Sequence, residues 1–428
     1  MPIRVNVAAT LKELKKEGHK IYIITARAYA DRKNFFGWLM RVCLKHWLKS
    51  NGMPYDGLYF VDMENSPEEK TNLIKKLNID YFIEDTPENI EKMKEYCKVI
   101  CIKADYNRDL TGVTYANDFY DIYAIINHQP VIEQLHGNPS MQRQYYESLP
   151  YDEGALHQYK RNTQLAIKTL GTLLKCFIKL EIVGQENIPK EGGVVFACNH
   201  RRSMDIPIMY LALRDNYARF LIKMEYELSK FRFLQKPLGT IYVNRESKYS
   251  SRTARTSMIE ALLHGTNVLI FPEGVWNTSE NQLVQYLFPG TAEMAIRTGA
   301  DIVPIAIEEF GKEYRINIGQ NISTCKWSLE QKQELTNYLR DAMATLKWEI
   351  YETRPVAKRA TISANAGEDY RQNFINQAKG VFTWQDFVNT SYRPRDITTP
   401  ADAFAYLDKL IPRHQNAFLF RKGARSGR

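Results

Sequence analysis

The chain has 428 residues, of which 44% are hydrophobic and 25% charged, a balance typical of folded globular proteins and not of disordered chains. A chain of this length can form two or three domains. Its net charge of +9 suits an anionic membrane surface, nucleic acid or an acidic substrate. The sequence has no recognisable nucleic-acid-binding motif, and no apolar run approaches the roughly 20 residues of a membrane-spanning helix.

The six cysteines show neither a pairing framework nor zinc-ligand spacing, which indicates reduced thiols in a cytosolic protein. The start of the chain, around Arg4, has no apolar core of a secretory signal. We therefore expect a cytoplasmic protein that does not span the membrane.

Residues 1–125 alternate between helix and strand patterns. Helices are predicted at 8–17, 66–77 and 87–97, and strands at 20–24, 81–84 and 99–102. An alternating series of this kind predicts a parallel sheet.

Three short motifs in this region carry a resemblance. They are Ile23-Ile24-Thr25-Ala26-Arg27, Lys70, and Phe82-Ile83-Glu84-Asp85-Thr86-Pro87-Glu88-Asn89. Together they resemble the haloacid-dehalogenase-like phosphohydrolases. The resemblance implies that Thr25 and Lys70 bind a phosphoryl group and that Glu84 and Asp85 hold magnesium. That family's nucleophile is an aspartate on the first strand, whereas the first aspartate here, Asp31, follows Thr25. We expect an incomplete Rossmann-like module without its first strand, truncated or degenerate, that cannot form an aspartyl-phosphate.

The next two segments are predicted to lead into a second domain. Residues 126–164 are expected to be a linker, because Gln129-Pro130, Gly137-Asn138-Pro139 and Leu149-Pro150 break helical periodicity. Residues 165–182 predict a basic amphipathic helix. Its apolar residues are Ala166, Ile167, Leu170, Leu173, Leu174, Phe177 and Ile178, and Lys168, Lys175 and Lys179 fall on another face. This pattern is typical of a helix in a lipid headgroup layer, and equally of a core helix with a solvated lysine edge.

Four ordered blocks between residues 180 and 310 place polar residues beside strand-like apolar runs, where α/β folds bind ligands. The blocks are Asn199-His200-Arg201-Arg202-Ser203-Met204-Asp205, Pro237-Leu238-Gly239-Thr240-Ile241-Tyr242-Val243-Asn244-Arg245, Phe271-Pro272-Glu273-Gly274, and Ile302-Val303-Pro304-Ile305-Ala306. Histidine is the usual general base for an alcohol, and an aspartate can orient its ring. If Asp205 begins the helix after the loop, its carboxylate can fold back onto His200.

Together the blocks NHxxxxD, GxIxxxR, FPEG and the apolar-Pro strand resemble the glycerolipid acyltransferase family, specifically its 1-acylglycerol-3-phosphate acyltransferase branch. The resemblance implies that His200 is the general base and Asp205 its orienting carboxylate. The transfer would pass through a ternary complex, with acyl-CoA or acyl-carrier protein as co-substrate and no metal or other cofactor. The substrate-binding positions carried over from the motifs are Asn199, Gly239, Arg245, Glu273 and Gly274, with Arg245 on the acceptor's phosphate.

The third block departs from the family's pattern. FPEG continues with Val275-Trp276-Asn277, where the family has Thr-Arg-Ser, so a cation near the acceptor's head group is lost. Arg201, Arg202 or Lys223 could replace it. Cys198 and Ser203 flank His200 and leave a covalent acyl-enzyme open, although Cys198 lies in strand phase, as a small core residue would.

The expected function is therefore transfer of a fatty acyl group to a lysophospholipid, giving phosphatidate from 1-acylglycerol-3-phosphate, by a peripheral enzyme on the inner face of the membrane. The alternatives are a different lysolipid acceptor, a phosphohydrolase acting through the N-terminal half, and a non-catalytic lipid- or anion-binding protein. The expected domains are a phosphohydrolase-like module (1–125), a linker (126–164), an α/β acyltransferase core (165–320) and a helical, basic extension (321–428).

Overall fold

The computed structural model describes residues 7–27, 29–104, 106–135, 139–190, 192–202, 204–223, 235–244, 248–274, 276–277, 283–353 and 364–365. The chain divides into two compact units. The first comprises Met1–Ala155 with Asn244–Glu260, and the second comprises Leu156–Val243 with Ala261–Arg428.

The N-terminal part of the first unit alternates helices and strands. Its helices are α1 (Val7–Lys16), α2 (Phe35–Ser50), α3 (Ser66–Leu77), α4 (Pro87–Met93), α5 (Phe119–Ile126) and α6 (Pro139–Glu147). Its strands are β1 (Tyr22–Thr25), β2 (Gly57–Phe60), β3 (Tyr81–Glu84), β4 (Lys98–Ile102) and β5 (Thr114–Ala116). The predicted helix at 66–77 and strand at 81–84 are confirmed to the residue.

Every strand pairing in this unit is parallel, but the strands form two sheets. One contains β1 and β2, and the other has the order β3-β4-β5. Within the described residues, the expected single parallel sheet is therefore replaced by two small ones. Strand β4 is the most buried, and its Ile100, Cys101 and Ile102 lie in the hydrophobic core.

The expected linker at 126–164 needs correction. Helix α6 occupies Pro139–Glu147, and helix α7 occupies Glu153–Ala166. The reason is that proline interrupts a helix only in its interior, whereas in the first turn its missing N–H has no helical partner to lose. Pro139 is the first residue of α6, and Pro150 lies before α7 begins.

The predicted amphipathic helix at 165–182 is also only partly right. After α7 come a π-helical turn, Ile167–Gly171, and a short helix, α8 (Thr172–Lys175). The chain then enters strand β6 (Lys179–Val183), which pairs with a strand near residue 315. Strand pairing over 179–183 therefore overrides the helical periodicity of the sequence.

The remaining elements belong mainly to the second unit. They are β7 (Val195–Cys198), α9 (Asp205–Leu213), β8 (Ala218–Lys223), β9 (Ile241–Val243), α10 (Lys248–Leu263), β10 (Asn267–Ile270), α11 (Gly290–Thr298), β11 (Ile302–Phe310), β12 (Glu313–Ile318) and α12 (Lys332–Glu352). Helix α10 lies in the first unit as far as Glu260.

The second unit is built on a mixed seven-stranded sheet with the order β6-β12-β11-β7-β10-β8-β9. Strands β11, β7, β10, β8 and β9 run parallel to one another, and β12 is antiparallel to β11. The predicted apolar runs before the first and third blocks are thus confirmed as neighbouring parallel strands. Because carboxyl ends of parallel strands meet at one edge of a sheet, the loops after β7 and β10 come together there.

The core of this unit explains why the central strands read as apolar runs. All four residues of β7 are buried, as expected of a strand covered on both faces. Phe196, Leu269 and Val303 are fully buried on three adjacent strands. Within the residues that the structure describes, no helix combines the length and apolar character needed to cross a bilayer.

Candidate active site

His200 lies just after β7 and has a hydrogen-bond partner on each ring nitrogen. Its Nδ1 is 2.7 Å from Oδ2 of Asp205, and its Nε2 is 3.0 Å from the indole Nε1 of Trp276. An indole N–H can only donate, so Nε2 carries the lone pair and the proton lies on Nδ1, facing the carboxylate. The imidazole also stacks on Phe271, with ring centroids 4.2 Å apart. The tautomer with its proton on Nδ1 is the one that a general base acting through Nε2 requires.

Asp205 is buried and is the first residue of α9, as the sequence predicts. Besides the imidazole, its Oδ2 accepts the backbone N–H groups of Arg201 at 2.6 Å and Arg202 at 2.9 Å. A helix N-terminus favours a negative charge at this position. One carboxylate oxygen therefore orients the ring of His200 and closes the loop that carries it.

Glu273 lies in the loop after β10 and is fully buried. Its Oε1 accepts the backbone N–H of His200 at 2.7 Å, and its Oε2 accepts that of Gln285, also at 2.7 Å. Burial raises the pKa of Glu273, and the nearby ammonium of Lys347 opposes that rise. The expectation that Glu273 contacts substrate therefore needs correction, because its carboxylate is inside the protein and holds the loop around His200.

Asn199 is likewise fully buried. Its Nδ2 donates to the carbonyl oxygen of Ile307 at 3.1 Å, and its Oδ1 accepts the N–H of Ile307 at 2.7 Å. These two bonds fix the start of the His200 loop to β11. The predicted substrate contact at Asn199 is corrected to a structural role, since no polar atom of its amide faces outward.

The two predicted glycines both adopt left-handed backbone conformations. Gly239 has φ +77°, and a Cβ there would lie 2.3 Å from the hydroxyl of Tyr217 and 2.8 Å from the ring of Tyr159. Close packing between these side chains explains the glycine, and a substrate role for Gly239 stays a prediction. Gly274 has φ +67°, and its N–H donates to the carbonyl of Phe271 at 2.9 Å. It makes the tight turn after β10, and a substrate role for Gly274 stays a prediction.

Arg201 and Arg202 follow His200 but point to carboxylates of β11. Nη1 of Arg201 is 3.1 Å from Oε1 of Glu308, and Nη2 of Arg202 is 2.7 Å from Oε2 of Glu309. Each guanidinium is thus paired with a carboxylate, and replacement of the missing cation of the third block by either arginine stays a prediction.

Three residues named from the sequence cannot be placed. Arg245 and Ser203 lie outside the described residues, as does the side chain of Lys223. Phosphate binding by Arg245 and compensation by Lys223 stay predictions.

Sequence reasoning missed a buried ionic cluster around Glu308. Its carboxylate lies 3.3 Å from Nζ of Lys347 and accepts the hydroxyl of Tyr351 at 2.5 Å. Burial alone would raise the pKa of Glu308, but Lys347 and Arg201 outweigh it, and the pKa lies below its usual value. The sequence does carry a signal for Lys347. It follows Leu335, Leu339 and Met343 at a spacing of four residues, which places it on the buried face of α12.

With this geometry in place, comparisons with known proteins identify the second unit. The family profile described as Acyltransferase matches residues 179–308. The 1-acyl-sn-glycerol-3-phosphate acyltransferase of Borreliella burgdorferi is 31% identical over 179 residues, which are 38% of this chain and 70% of that protein. The chain belongs to the glycerolipid acyltransferase family. It is an O-acyltransferase.

Two further likenesses accompany this match. The 1-acyl-sn-glycerol-3-phosphate acyltransferase of Neisseria gonorrhoeae is 28% identical over 184 residues, 41% of this chain and 69% of that protein. The crystal structure of the 1-acyl-sn-glycerophosphate (LPA) acyltransferase, PlsC, from Thermotoga maritima aligns with 56% of this chain and 91% of its own, with 20% identity and a TM-score of 0.37.

The first unit has relatives of a different kind. The Oceanobacillus iheyensis protein named "Putative nucleotidase OB0422" is 29% identical over 122 residues, 28% of this chain and 59% of that protein. This likeness fits the N-terminal segment, whose motifs resemble those of phosphohydrolases.

The motif residues of that segment form an internally bonded cluster. Nζ of Lys70 lies 2.5 Å from Oε2 of Glu84, and the two side chains are 8% and 9% exposed. The carboxylate of Asp85 accepts the hydroxyl of Tyr106 at 3.0 Å. In the part of the chain that the structure describes, no group of three or more His, Cys, Asp or Glu residues could hold a metal ion.

Cys198 is the last residue of β7 and is fully buried, with its Sγ 3.8 Å from Sδ of Met209. Burial raises its pKa well above the usual value, and the charges of Asp205 and Glu273 add to that rise. A thiol held in its neutral form is a poor nucleophile. Cys198 is therefore a core residue of the O-acyltransferase unit.

Proposed function

We propose that this O-acyltransferase transfers a fatty acyl group from acyl-CoA or acyl-carrier protein to the free hydroxyl of 1-acylglycerol-3-phosphate, giving phosphatidate. The observation that carries the proposal is the hydrogen-bonded His200–Asp205 pair at the carboxyl edge of the parallel strands. The acceptor class follows from the names of the relatives, which act on 1-acylglycerol-3-phosphate.

The proposed reaction is a direct transfer in a ternary complex. Nε2 of His200 takes the proton of the acceptor hydroxyl as its oxygen attacks the carbonyl carbon of the thioester. Asp205 stabilises the imidazolium that forms. The carbon–sulfur bond then breaks, an ester is formed, and the departing thiolate takes the proton from Nε2. No metal or further cofactor enters this scheme. Holding both substrates in line with the base supplies much of the rate.

Buried bonds support this role because they fix the position of the base. The backbone N–H of His200 is held by Glu273, its ring by Asp205, and the residue before it by Ile307. A base held on three sides loses little freedom on reaching the transition state. Pre-organisation of this kind is what efficient general-base catalysis needs.

A partly exposed apolar surface supports the anionic membrane as a partner. Ile167, Leu174 and Ile178 pack against the core of the second unit. The opposite face of the same segment exposes Leu165 (60%), Leu170 (56%), Leu173 (58%) and Phe177 (64%). Lys168, Lys175 and Lys179 are exposed beside them. We propose that this face, which we call the lysine–leucine surface, lies in the headgroup layer of the inner leaflet.

The lysine–leucine surface makes a measurable prediction. In flotation with vesicles containing phosphatidylglycerol, Leu173→Glu with Phe177→Glu should reduce binding by about tenfold, since two apolar side chains leave the interface. The double variant Lys75→Glu with Lys76→Glu on α3 is the control for added negative charge. Equal binding of the wild type and the surface variant would contradict this partner.

The phosphate-binding role proposed for Arg245 predicts an asymmetric kinetic effect. Arg245→Ala should raise KM for the lysophospholipid by about tenfold or more, because a charge-assisted phosphate contact is lost. KM for acyl-CoA should change far less. Equal increases in both KM values would remove Arg245 from this role.

The central test is acyl transfer from radiolabelled acyl-CoA to a panel of lysophospholipids, repeated with acyl-carrier protein as donor. Wild type is compared with His200→Ala and with His157→Ala, which removes an exposed histidine of α7. We expect product with 1-acylglycerol-3-phosphate in the wild type and the His157 variant, and a loss of about 10²- to 10⁴-fold in kcat for His200→Ala.

Other outcomes have defined meanings. Product from a different lysolipid would keep the acyl transfer and change the acceptor. No product from either donor, with vesicle binding retained, would favour a non-catalytic lipid-binding protein. Equal rates for wild type and His200→Ala would refute general-base catalysis by His200.

We do not propose phosphohydrolysis by the first unit. Lys70 would have to stabilise a phosphoryl group, but its ammonium is bound to Glu84. Glu84 would have to hold magnesium, but both of its oxygens accept hydrogen bonds from neighbouring groups. The likeness to a nucleotidase is consistent with a shared framework, and we propose a structural role for this unit.

A further inference from the structure

The indole of Trp276 is hydrogen-bonded to Nε2 of His200, the nitrogen that the proposed mechanism uses. Its Nε1–H donates to Nε2 of His200 at 3.0 Å, and the two rings are almost perpendicular, at 82°. A neutral imidazole has one ring lone pair, and here this lone pair accepts the indole N–H. In this arrangement the base is already hydrogen-bonded to a group of the protein.

Backbone bonds place the indole at this point. The N–H of Asn277, the next residue, donates to the carbonyl oxygen of His200 at 2.7 Å. Asn277 is buried, and its side chain donates to the carbonyl of Leu283 at 3.3 Å. The main chain beside Trp276 is thus tied to the residue whose ring the indole covers, so the contact is built into the loop after FPEG.

We propose that Trp276 is a positioning residue that caps the base of His200 and makes the enzyme discriminate between the lipid hydroxyl and water. This inference rests on the acyl transfer proposed above. The acceptor lipid displaces the indole N–H when it binds, and its hydroxyl then takes the place of that donor on Nε2. Until then, Nε2 has no lone pair for a water molecule.

Such a cap matters because water competes with the acceptor at any general base. If Nε2 took a proton from water, the water oxygen would attack the thioester carbonyl and the carbon–sulfur bond would break. The thiolate would then recover the proton, leaving a free fatty acid and a thiol. The acyl donor would be wasted by the same groups that use it. Excluding water from a reactive site is a recognised requirement of transfer enzymes.

An amphiphilic acceptor can open the cap more readily than water can. Binding the acyl chain and head group of a lysolipid releases free energy that can offset the loss of one neutral hydrogen bond. A water molecule brings no such additional contacts. The net value of one neutral hydrogen bond corresponds to a factor of roughly 3 to 10, so this is the size of discrimination expected.

The capping role differs from simple packing in one testable respect. Phe271 also covers the imidazole, by stacking, but it has no donor for Nε2. If Trp276 served only to fill space, a phenyl ring would serve nearly as well. If the N–H is what matters, Trp276→Phe uncovers the lone pair while keeping an aromatic ring at the site.

The first measurement is the ratio of acyl-CoA hydrolysis to acyl transfer in the full-length protein. Trp276→Phe should raise this ratio by about 3- to 10-fold and lower KM for the acceptor, since no bond to the base must be broken. Trp276→Leu should act in the same direction. Trp327→Phe is the matched control, because Trp327 packs on Tyr338, with centroids 6.2 Å apart, and should leave the ratio at the wild-type value.

The second measurement does not require turnover. Diethyl pyrocarbonate modifies an imidazole nitrogen through its lone pair, and the rate at His200 can be followed by peptide mass spectrometry. We expect about 3- to 10-fold faster modification in Trp276→Phe than in wild type or Trp327→Phe.

Each outcome of these two measurements tests a different part of the proposal. Equal modification rates in wild type and Trp276→Phe would overturn the cap. Faster modification with an unchanged hydrolysis-to-transfer ratio would overturn the discrimination against water. Faster modification without acyl transfer to any acceptor would support the cap and refute the proposed acyl transfer itself.

Discussion

Each of the two units holds a largely buried pair of charged or chargeable side chains near the end of a parallel strand, but the two pairs differ in how their members are bonded. In the first unit, Glu84 accepts Nζ of Lys70 at 2.5 Å and Nδ2 of Asn89 at 3.0 Å, and its other oxygen accepts two backbone N–H groups. In the second unit, Oδ2 of Asp205 accepts the backbone N–H groups of Arg201 and Arg202 and faces Nδ1 of His200, and the other nitrogen of that ring, Nε2, is bonded to Trp276.

The difference supports the proposal that the pair in the first unit is structural and the pair in the second is catalytic. A buried ammonium and carboxylate that satisfy each other stabilise a fold and leave no group to react. A catalytic histidine needs a carboxylate on one nitrogen and an accessible lone pair on the other. In this chain the second nitrogen meets Trp276, whose single N–H can be displaced, whereas the bonds around Glu84 come from four separate donors.

The largest effect is expected from removing the charge of Asp205. In Asp205→Asn the amide can still occupy the site, but the imidazolium loses its counter-charge and the correct tautomer is no longer enforced. We expect kcat to fall by about 10²- to 10⁴-fold with little change in either KM. The measurement is steady-state acyl transfer with both substrates varied.

Asp215→Asn is the matched control, because Asp215 is an exposed aspartate just after α9. It should retain at least half of the wild-type kcat. If Asp205→Asn also kept that much activity, the two buried pairs would be equivalent structural features and the contrast between the units would be broken.

The next largest effect concerns the stability of the first unit. Lys70→Met leaves the carboxylate of Glu84 buried without its cation, which should lower the free energy of unfolding by about 3–5 kcal/mol. Lys92→Met removes the cation of an exposed pair with Glu68 and should cost about 1 kcal/mol or less. Urea unfolding followed by circular dichroism measures both.

Acyl transfer separates this effect from catalysis. Below the denaturation range, Lys70→Met should keep the wild-type KM for both substrates. A specific loss of a phosphatase activity in this variant, with stability unchanged, would mean that Lys70 reacts or binds ligand and that the first unit is not purely structural.

The central strands and the pair His200–Asp205 could be predicted from the sequence because their signals are local. Strand β7 and strand β10 are short apolar runs followed by polar blocks, and Asp205 begins α9 five residues after the histidine. Parallel pairing of β7 with β10 then brings the loops that follow these two strands to one edge of the sheet.

The supporting residues could not be predicted, because their partners are remote in sequence. Asn199 bonds to Ile307, 108 positions away, and Arg201 pairs with Glu308 at a similar separation. An asparagine in a motif next to a candidate base suggests substrate contact. Only the position of β11 shows that the Asn199 amide bonds instead to the main chain of Ile307. Likewise, helical periodicity at 179–182 is local, whereas the pairing of β6 with β12 that replaces it is not.

The last effect, the smallest per pH unit, comes from Asp118, a buried carboxylate of the first unit. Its Oδ1 accepts the backbone N–H groups of Tyr120 at 3.0 Å and Asp121 at 3.1 Å, which caps α5. Burial raises its pKa to about 7 from an ordinary value of 3.8, the charge of Asp121 adds to the rise, and Arg252 opposes it. The neutral acid is thus favoured at Asp118 below about pH 7, whereas in the second unit the carboxylate of Asp205 faces an imidazole N–H.

The sign of the resulting pH dependence follows from linkage. Because the folded state holds the proton of Asp118 more tightly than the unfolded state, this group's contribution to stability is complete below about pH 4 and is lost as the pH rises through 7. Over that window the free energy of unfolding should fall with a slope of up to about 1.4 kcal/mol per pH unit.

Asp118→Asn keeps an oxygen for the helix cap but cannot ionise, so its slope should be flatter. Asp109→Asn, at an exposed position, should keep the wild-type slope. Urea unfolding at several pH values between 4 and 7 measures all three proteins, and parallel curves for wild type and Asp118→Asn would show that Asp118 does not titrate in this range.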